Sequence, residues 1–214
     1  MAVKKARASG NSKNVTKPNS RLLATDLANA LPEGWSKPAL YLFCDGGCKY
    51  IRDPITKKTS STGAGGWGAV LLLIEADEAP MVTYLSGSHP ETTNNQMELR
   101  SIIDGISAVN GLDEILDGSM RLHVISDSQY CIKGIQLWMD NWKRRNFADV
   151  KNVAYWQQLL VAQGNIRVTW HHCRGHRNPS DFAPVSWDRV TALGNDGADR
   201  LATLGRLAIE RKGK

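Results

Sequence analysis

The chain has 214 residues, of which 42% are hydrophobic, and its formal net charge at pH 7 is +6. This length predicts one ordinary domain with some additional chain, and the hydrophobic fraction is sufficient for a sizeable core. The longest apolar run, residues 69–74, is far shorter than the roughly 20 residues of a membrane-spanning helix, which argues against an integral membrane protein.

The N-terminal segment is predicted to be a basic arm. Residues 1–37 are rich in Ser, Asn, Lys and Ala, and only residues 21–31 show a short helix-like pattern, so we expect this arm to be mostly disordered. All of the net charge lies in residues 1–25, which contain six basic residues and no acidic one. The arm would therefore attract a polyanion without specificity, or be a solvated tail with no role. It lacks the apolar core of a secretory signal, so a cytoplasmic location is expected, with direction to an organelle left open.

Three strands are predicted after the arm. Residues 39–44 are apolar on both faces and end at Asp45, which is typical of a central strand that is buried on both sides. Residues 65–75 and 81–86 indicate two further strands, joined to the first in an antiparallel run. A long helix should follow, with an N-cap at residues 92–94 and apolar residues at helical spacing, namely Leu99, Ile102, Ile103, Ile106 and Val109.

The second half of the chain alternates between strands and helices. Residues 121–126 form a short apolar strand that ends at Asp127, and residues 165–172 form the last strand. Helical patterns occupy residues 128–143, residues 153–163 and a C-terminal helix with the apolar stripe Ala198, Leu201, Ala202 and Gly205. This order predicts an α/β fold with a mixed sheet, helices on its faces and a site beyond the carboxyl ends of its strands.

Acidic residues stand at the boundaries of four predicted elements. Asp45 and Asp127 follow strands, Glu98 lies in the first turn of the long helix, and an aspartate near residue 199 opens the last helix. Each alone could be a cap or a turn residue. Together they would repel one another unless a cation lay among them, and Mg²⁺ is the natural choice. Two such ions about 3.5–4 Å apart would indicate a phosphodiesterase, without choosing its substrate.

The cysteines and histidines give weaker signals. We expect the four cysteines to be reduced thiols without disulfides. A zinc site is suggested by the neighbours His171, His172, Cys173 and His176, but adjacent residues on a strand point to opposite faces, so we disfavour it.

Several linked motifs occur in one order along residues 39–205. The first half contains YLFCDGGC at 41–48, GGWGA at 65–69, TTNNQMEL at 92–99 and SDSQY at 126–130. The second half contains Trp138, Asn141, Trp142 and Lys143, then KNV at 151–153 with Trp156, RGH at 174–176 and NDGADRLA at 195–202. In this combination they resemble type 1 ribonuclease H.

The resemblance implies a fold, a reaction and a partner. The fold would be ribonuclease H-like, with a five-stranded mixed sheet of three antiparallel and two parallel strands and helices on both faces, in a catalytic domain of residues 38–214. The reaction would be endonucleolytic cleavage of the RNA strand of an RNA–DNA hybrid by two Mg²⁺ ions, for which Mn²⁺ would substitute, leaving 5′-phosphate and 3′-hydroxyl ends. The chain would act as a monomer, with neither a membrane nor an obligate protein partner.

The resemblance also implies catalytic residues. Asp45, Glu98, Asp127 and Asp199 would bind the metal ions, with Asp45 bridging both and Asp199 holding the ion that activates water. Glu98 and Asp127 would hold the ion at the leaving group, and Glu98 would approach the RNA 2′-hydroxyl. His176 resembles the family's mobile histidine, which shuttles protons or speeds product release.

Substrate contacts implied by the resemblance would sense the shape of the hybrid rather than its sequence. Thr93 and Asn152 would cradle a DNA phosphate, and the groove would be contacted by Asn94, Asn95 and Gln129.

A basic protrusion is the other implied contact. Trp138, Lys143 and Arg144 would grip the DNA strand with aromatic and cationic side chains. Alternatively, tryptophans four apart on a helix could simply belong to the hydrophobic core. We favour this structural role for Trp142.

Three features depart from the family's pattern. The loop of residues 49–62 is longer and basic, and it lacks an asparagine that often binds substrate. The loop of residues 177–194 is also enlarged. The 22 residues between His176 and Asp199 offer rival fourth ligands, namely Asp181, Asp188 and Asp196. We keep Asp199 because the residues around it match the family. The arm lacks the pattern of a hybrid-binding domain.

Two other functions remain open at this point. A non-catalytic hybrid-binding module could retain the fold, although it would not need mutually repelling carboxylates. A related DNA nuclease or a transposase-type phosphotransferase could also use it, because a fold alone does not fix function.

Overall fold

The computed structural model describes residues 20–33, 38–52, 55–75, 78–112, 115 and 118–212. Its strands are β1 (Ala39–Arg52), β2 (Thr59–Ile74), β3 (Met81–Thr92), β4 (Arg121–Ser126) and β5 (Val168–His172). Its helices are α1 (Ser20–Ala30), α2 (Asn94–Val109), α3 (Gln129–Lys133), α4 (Met139–Arg144), α5 (Val153–Gln163) and α6 (Trp187–Lys212), with a π-helical turn at Gly134–Trp138. No described helix combines the length and apolar character needed to cross a bilayer.

The sheet has the strand order β3-β2-β1-β4-β5. Strands β1, β2 and β3 pair antiparallel, whereas β4 pairs parallel with both β1 and β5. The predicted α/β class is therefore confirmed, as is the five-stranded mixed sheet.

Helices cover both faces of this sheet because the side chains of β1 alternate between two cores. Leu42 and Leu40 pack on one face against α2 and α5, in a core that includes Ile102. Tyr41 and Phe43 pack on the other face against α1 and α6. This double burial explains the unbroken apolar run of β1 in the sequence.

Residues 20–31 correct the predicted extent of the disordered arm. They form α1 and the residue that follows it, and the fully buried Leu27 packs in the core against α6. The apolar residues Leu23, Leu27 and Leu31 recur every four positions and so share one helix face. The rest of the arm, residues 1–19 and 34–37, lies outside the described residues.

Two predicted loops are largely regular structure. Within residues 49–62, β1 continues to Arg52 and β2 begins at Thr59, so the enlargement is a lengthened hairpin rather than a loop. Within residues 177–194, α6 already begins at Trp187, because the Ser186 hydroxyl accepts a hydrogen bond from the Arg189 backbone N–H at 3.2 Å. The irregular part is therefore shorter than predicted at both places.

Strand bounds also differ from the predictions. β3 continues to Thr92 instead of ending at residue 86, because its antiparallel pairing with β2 extends to the partners Gly63 and Thr92. β5 begins at Val168 rather than residue 165, and its pairing with β4 begins there too.

Candidate active site

Three carboxylates meet where β1 and β4 stop pairing with each other. The parallel ladder ends at the partners Cys44 and Ser126, and the next residue on each strand is an aspartate, Asp45 or Asp127. Ligand oxygens of Asp45, Asp127 and Glu98 all lie within 4.8 Å of one another. The sequence predicted that the first strand would end at Asp45. This is wrong, because β1 continues to pair with β2 beyond this residue.

Gly46 allows α2 to bring Glu98 into this cluster. A Cβ atom at Gly46 would collide with the backbone of Met97 and Glu98, so the start of α2 lies directly against β1. The helix begins there because Thr93 caps it. The Thr93 hydroxyl accepts from the Gln96 N–H at 3.3 Å, and the Gln96 side chain accepts from the Thr93 N–H at 3.1 Å.

The mutual repulsion of these carboxylates favours a bound cation. Burial and the nearby Asp127 and Asp199 raise the pKa of Asp45 to about 8, despite the hydrogen bond that its Oδ1 accepts from the Gly46 N–H at 2.7 Å. Burial, Asp45 and Asp127 likewise raise the pKa of Glu98 well above its usual value. Within the described residues, the buried Oε2 of Glu98 has no hydrogen-bond partner. Hard oxygen donors in this arrangement fit a divalent ion such as Mg²⁺.

Asp199 faces the cluster from α6. It is half-buried, and burial raises its pKa while His176 lowers it. Asp199 also contributes to the raised pKa of Asp45, although its oxygens lie outside the tight group of three. The approach of α6 depends on glycine in β2, because a Cβ at Gly68 would collide with the Ala198 carbonyl and Leu201.

The rival aspartates have other contacts. Asp196 pairs with Arg200 at 2.7 Å, and Asp188 lies 3.7 Å from Nη1 of Arg177. Asp181 is exposed in a short 3₁₀ turn. These contacts favour Asp199 as the fourth carboxylate.

His176 lies on the loop that follows β5. It is exposed and has a left-handed backbone conformation, with φ of 55°. This loop passes close to the cluster, because a Cβ at Gly175 would collide with Oδ2 of Asp127. His176 and Asp199 line one cavity.

Two residues beside the carboxylates were not singled out by the sequence. The Asn195 side chain donates to Oδ2 of Asp127 at 3.5 Å, and a hydrogen bond from Ser128 lowers the pKa of Glu98 against the raising effect of burial. Asn195 appeared in the sequence only as part of the NDGADRLA motif. Nothing in its spacing indicated that it would face Asp127.

The predicted groove contacts lie at the start of α2 and α3. The Asn94 side chain accepts from the Cys48 N–H at 2.6 Å, which ties it to the β1–β2 hairpin. Asn95 and Gln129 are exposed, and the Gln129 side chain accepts from the Lys133 ammonium at 2.9 Å.

Asn152 is held by a tyrosine hydroxyl. Oη of Tyr130 accepts from the Asn152 side chain at 3.2 Å and from the Trp156 indole at 2.9 Å, and it donates to the Lys151 carbonyl at 3.0 Å. Asn152 itself has φ of 59°, a conformation that asparagine tolerates well. The sequence did not single out this role of Tyr130.

Trp138, Lys143 and Arg144 are exposed together around α4. The Trp138 ring lies 5.6 Å from that of Trp142, which is half-buried and lies 5.1 Å from Trp156 in the core. This position agrees with the core interpretation of Trp142.

The disfavoured zinc site does not form among the described residues. His171 faces His123, with 2.9 Å between Nδ1 of His123 and Nε2 of His171, whereas Nε2 of His172 lies 3.2 Å from the Asp127 carbonyl. The one cluster of potential metal ligands found in the described part of the chain is the acidic one.

Known proteins share this sequence and this fold. The family model for RNase H matches residues 37–206. A ribonuclease H of Herminiimonas arsenicoxydans is 36% identical over 163 residues, covering 74% of this chain and 93% of that protein. A ribonuclease H of Ruegeria pomeroyi is 33% identical over 180 residues, covering 82% of this chain and 97% of that protein.

Two solved structures are similar as well. LC9-RNase H1, described as a type 1 RNase H with the type 2 active-site motif, has a TM-score of 0.61 and 22% identity, covering 80% of this chain and 74% of its own. LC11-RNase H1, solved in complex with RNA/DNA hybrid, has a TM-score of 0.51 and 16% identity, covering 80% of this chain and 99% of its own. At these sequence identities the two solved structures show only that the fold is shared. Family membership rests on the RNase H family model, which matches most of the sequence. The chain belongs to the ribonuclease H family.

Proposed function

We propose that this chain is an endoribonuclease that hydrolyses the RNA strand of RNA–DNA hybrids with two divalent metal ions. The observation that carries the proposal is the partly buried carboxylate cluster, whose ligand oxygens lie within 4.8 Å of one another. Its buried Glu98 Oε2 has no hydrogen-bond partner among the described residues. The ribonuclease H relatives and the hybrid bound to LC11-RNase H1 support the choice of substrate.

The four carboxylates would hold the ions, which we propose to be Mg²⁺ with Mn²⁺ as a substitute. Asp45 would help to hold both ions, Asp199 would hold the ion that activates water, and Glu98 and Asp127 would hold the ion at the leaving group. Two such ions lower the pKa of a water molecule and stabilise charge on the leaving oxygen. Attack on phosphorus with departure of the 3′-oxygen would leave 5′-phosphate and 3′-hydroxyl ends.

His176 would move protons at the edge of the site. It is exposed on the loop beside Asp127 and shares a cavity with Asp199, so solvent reaches both. A histidine in this position can take a proton from the attacking water or give one to the departing oxygen.

The hybrid would be held on both sides of the carboxylates. We propose that Thr93 and Asn152 bind one DNA phosphate, and that the groove is contacted by Asn94, Asn95 and Gln129. The Tyr130 hydroxyl would keep Asn152 in its left-handed conformation for this purpose. Trp138, Lys143 and Arg144, all exposed around α4, would grip the DNA strand further along.

A non-catalytic binding module explains the site less well. Such a module gains nothing from two carboxyl groups, Asp45 and Glu98, whose pKa values are raised by burial and by neighbouring carboxylates. A cytoplasmic location, a monomeric state and an arm that attracts polyanions stay predictions of the sequence.

Substrate preference tests the proposed function. With Mg²⁺, the full chain is expected to cut the labelled RNA strand of an RNA–DNA hybrid and to leave its DNA strand intact. Duplex RNA, duplex DNA and single-stranded RNA of the same sequence should be cut at least about a hundredfold more slowly, because only the hybrid offers a 2′-hydroxyl beside Glu98 and a DNA phosphate for Thr93 and Asn152. Equal cleavage of duplex DNA would favour a DNA nuclease, and binding without cleavage would favour the binding module.

A further inference from the structure

A cavity of about 560 Å³ opens beside the carboxylates, between the segment after His176 and the first turns of α6. Its volume lies within the range of about 300–1,000 Å³ that is usual for ligand pockets. His176 and Asp199 form its border with the proposed active site, and the rest of its lining includes Arg177, Asn178, Arg189 and Arg200. Most of these residues belong to the 22 that separate His176 from Asp199, where the sequence departs from the family's pattern.

The segment that forms this cavity is fixed to α6. The Arg177 guanidinium lies 4.0 Å from the centre of the Phe182 ring, and the Asn178 side chain accepts from the Ser180 N–H at 3.0 Å. Nη1 of Arg189 donates to the Pro179 carbonyl at 3.0 Å. The cavity is thus built by contacts within the segment and by the hydrogen bond of Arg189 that joins the segment to α6.

Arg189 supplies the cavity's unbalanced positive charge. Arg177 lies near Asp188, and Arg200 pairs with Asp196. Arg189 makes no ion pair with any residue that the structure describes, and it is half-buried. A guanidinium has five N–H donors, of which the Pro179 carbonyl uses one. Such a group, oriented by one hydrogen bond and facing a cavity, is suited to bind a phosphate oxygen.

We propose that this cavity binds a phosphate of the RNA strand next to the scissile one, with Arg189 as its main cation. The inference rests on the proposed function, because it requires the scissile phosphate to lie beside His176 and the carboxylates, at the border that the cavity shares with the site. The next phosphate of the same strand lies one nucleotide away. Of the three arginines that line the cavity, only Arg189 makes no ion pair with a described residue. The segment after His176 would thereby add a contact to the RNA strand that is cut.

Arg189→Gln removes the positive charge and keeps a polar side chain with an amide donor, and Arg189→Lys keeps the charge, so the pair of variants separates a charge role from a structural one. We expect kcat/KM for hybrid at low salt to fall about 5- to 20-fold through KM, with kcat within about twofold of the wild type. The slope of log kcat/KM against log salt should become shallower by roughly one, as for one lost phosphate contact. Arg189→Lys should keep the slope. Arg167→Gln is the matched control, since Arg167 is exposed at the opposite end of β5.

A neutral-phosphate scan locates the contact. Hybrids with a single methylphosphonate in the RNA strand are cleaved by the wild type and by Arg189→Gln. At one position beside the scissile bond, the substitution should slow the wild type but not the variant. An unchanged salt slope in Arg189→Gln, or equal losses at every position in both proteins, would overturn the inference. No hybrid cleavage by the wild type would instead overturn the proposed function.

Discussion

The Asp45→Asn variant is expected to be more stable than the wild type without metal ions, and inactive with them. Burial and neighbouring carboxylates raise the pKa of Asp45 to about 8. The folded wild type therefore keeps a proton that the unfolded chain releases near pH 4. Without metal, stability should fall as the pH rises from about 4 to about 8, by on the order of a few kcal/mol. Asparagine removes this loss, so its profile should be flatter and its Tm at pH 8 higher by roughly 5 °C or more.

Mg²⁺ should act against this difference in stability between Asp45→Asn and the wild type. The ion binds the folded wild type and offsets the repulsion, so it raises the Tm of the wild type more than that of Asp45→Asn. Hybrid cleavage by the variant should fall at least about a thousandfold, because the carboxylate proposed to hold both ions is lost. Thermal unfolding between pH 5 and 8, with chelator or with Mg²⁺, measures the effect. Asp26→Asn, on the exposed face of α1, serves as the control. The interpretation is wrong if Asp45→Asn lowers the Tm without metal at pH 8.

Adding one methyl group at Gly46 should damage both the fold and the site. A Cβ there would collide with the backbone of Met97 and Glu98, so α2 must move away from β1. We expect Gly46→Ala to lower the free energy of unfolding by about 2–3 kcal/mol or more. Because Glu98 moves with α2, Mg²⁺ affinity should fall at least about tenfold.

Gly47 offers a matched control on the same strand. A Cβ at Gly47 has no neighbour within 4 Å, so Gly47→Ala should change the free energy of unfolding by less than about 1 kcal/mol. Urea unfolding and calorimetric titration with Mg²⁺ measure both variants. Equal stability and equal Mg²⁺ affinity of the two would show that the contact between β1 and α2 does not position Glu98.

The convergence of Asp45 and Asp127 could be predicted because the relevant signal is local. Each ends a run of apolar residues, and the parallel pairing of β1 with β4 brings the two ends to one edge of the sheet. The placement of Glu98 and Asp199 needed the resemblance as well. Their convergence depends on close packing of α2 and α6 against glycines of the sheet, which no helical pattern encodes.

Other features depend on tertiary contacts. Helix α1 has a helical pattern, but only the burial of Leu27 on the sheet shows that it belongs to the folded body. The basic segment between β1 and β2 looked like a loop because its polar residues and glycines conceal the pairing of a long hairpin. The contact of Asn195 with Asp127 joins residues 68 positions apart, and no periodicity predicts such a pair.

Cleavage of a labelled RNA–DNA hybrid in Mg²⁺ by Asp199→Asn, compared with the wild type and Asp196→Asn, tests the central claim most directly. Asp199 contributes to the raised pKa of Asp45, whereas Asp196 is paired with Arg200 at 2.7 Å. We predict that the wild type cuts the RNA strand, that Asp199→Asn loses at least about a hundredfold in rate, and that Asp196→Asn stays within about fivefold. Loss of activity in Asp196→Asn but not in Asp199→Asn would contradict the proposed set of four carboxylates, and no cleavage by the wild type would contradict the ribonuclease activity itself.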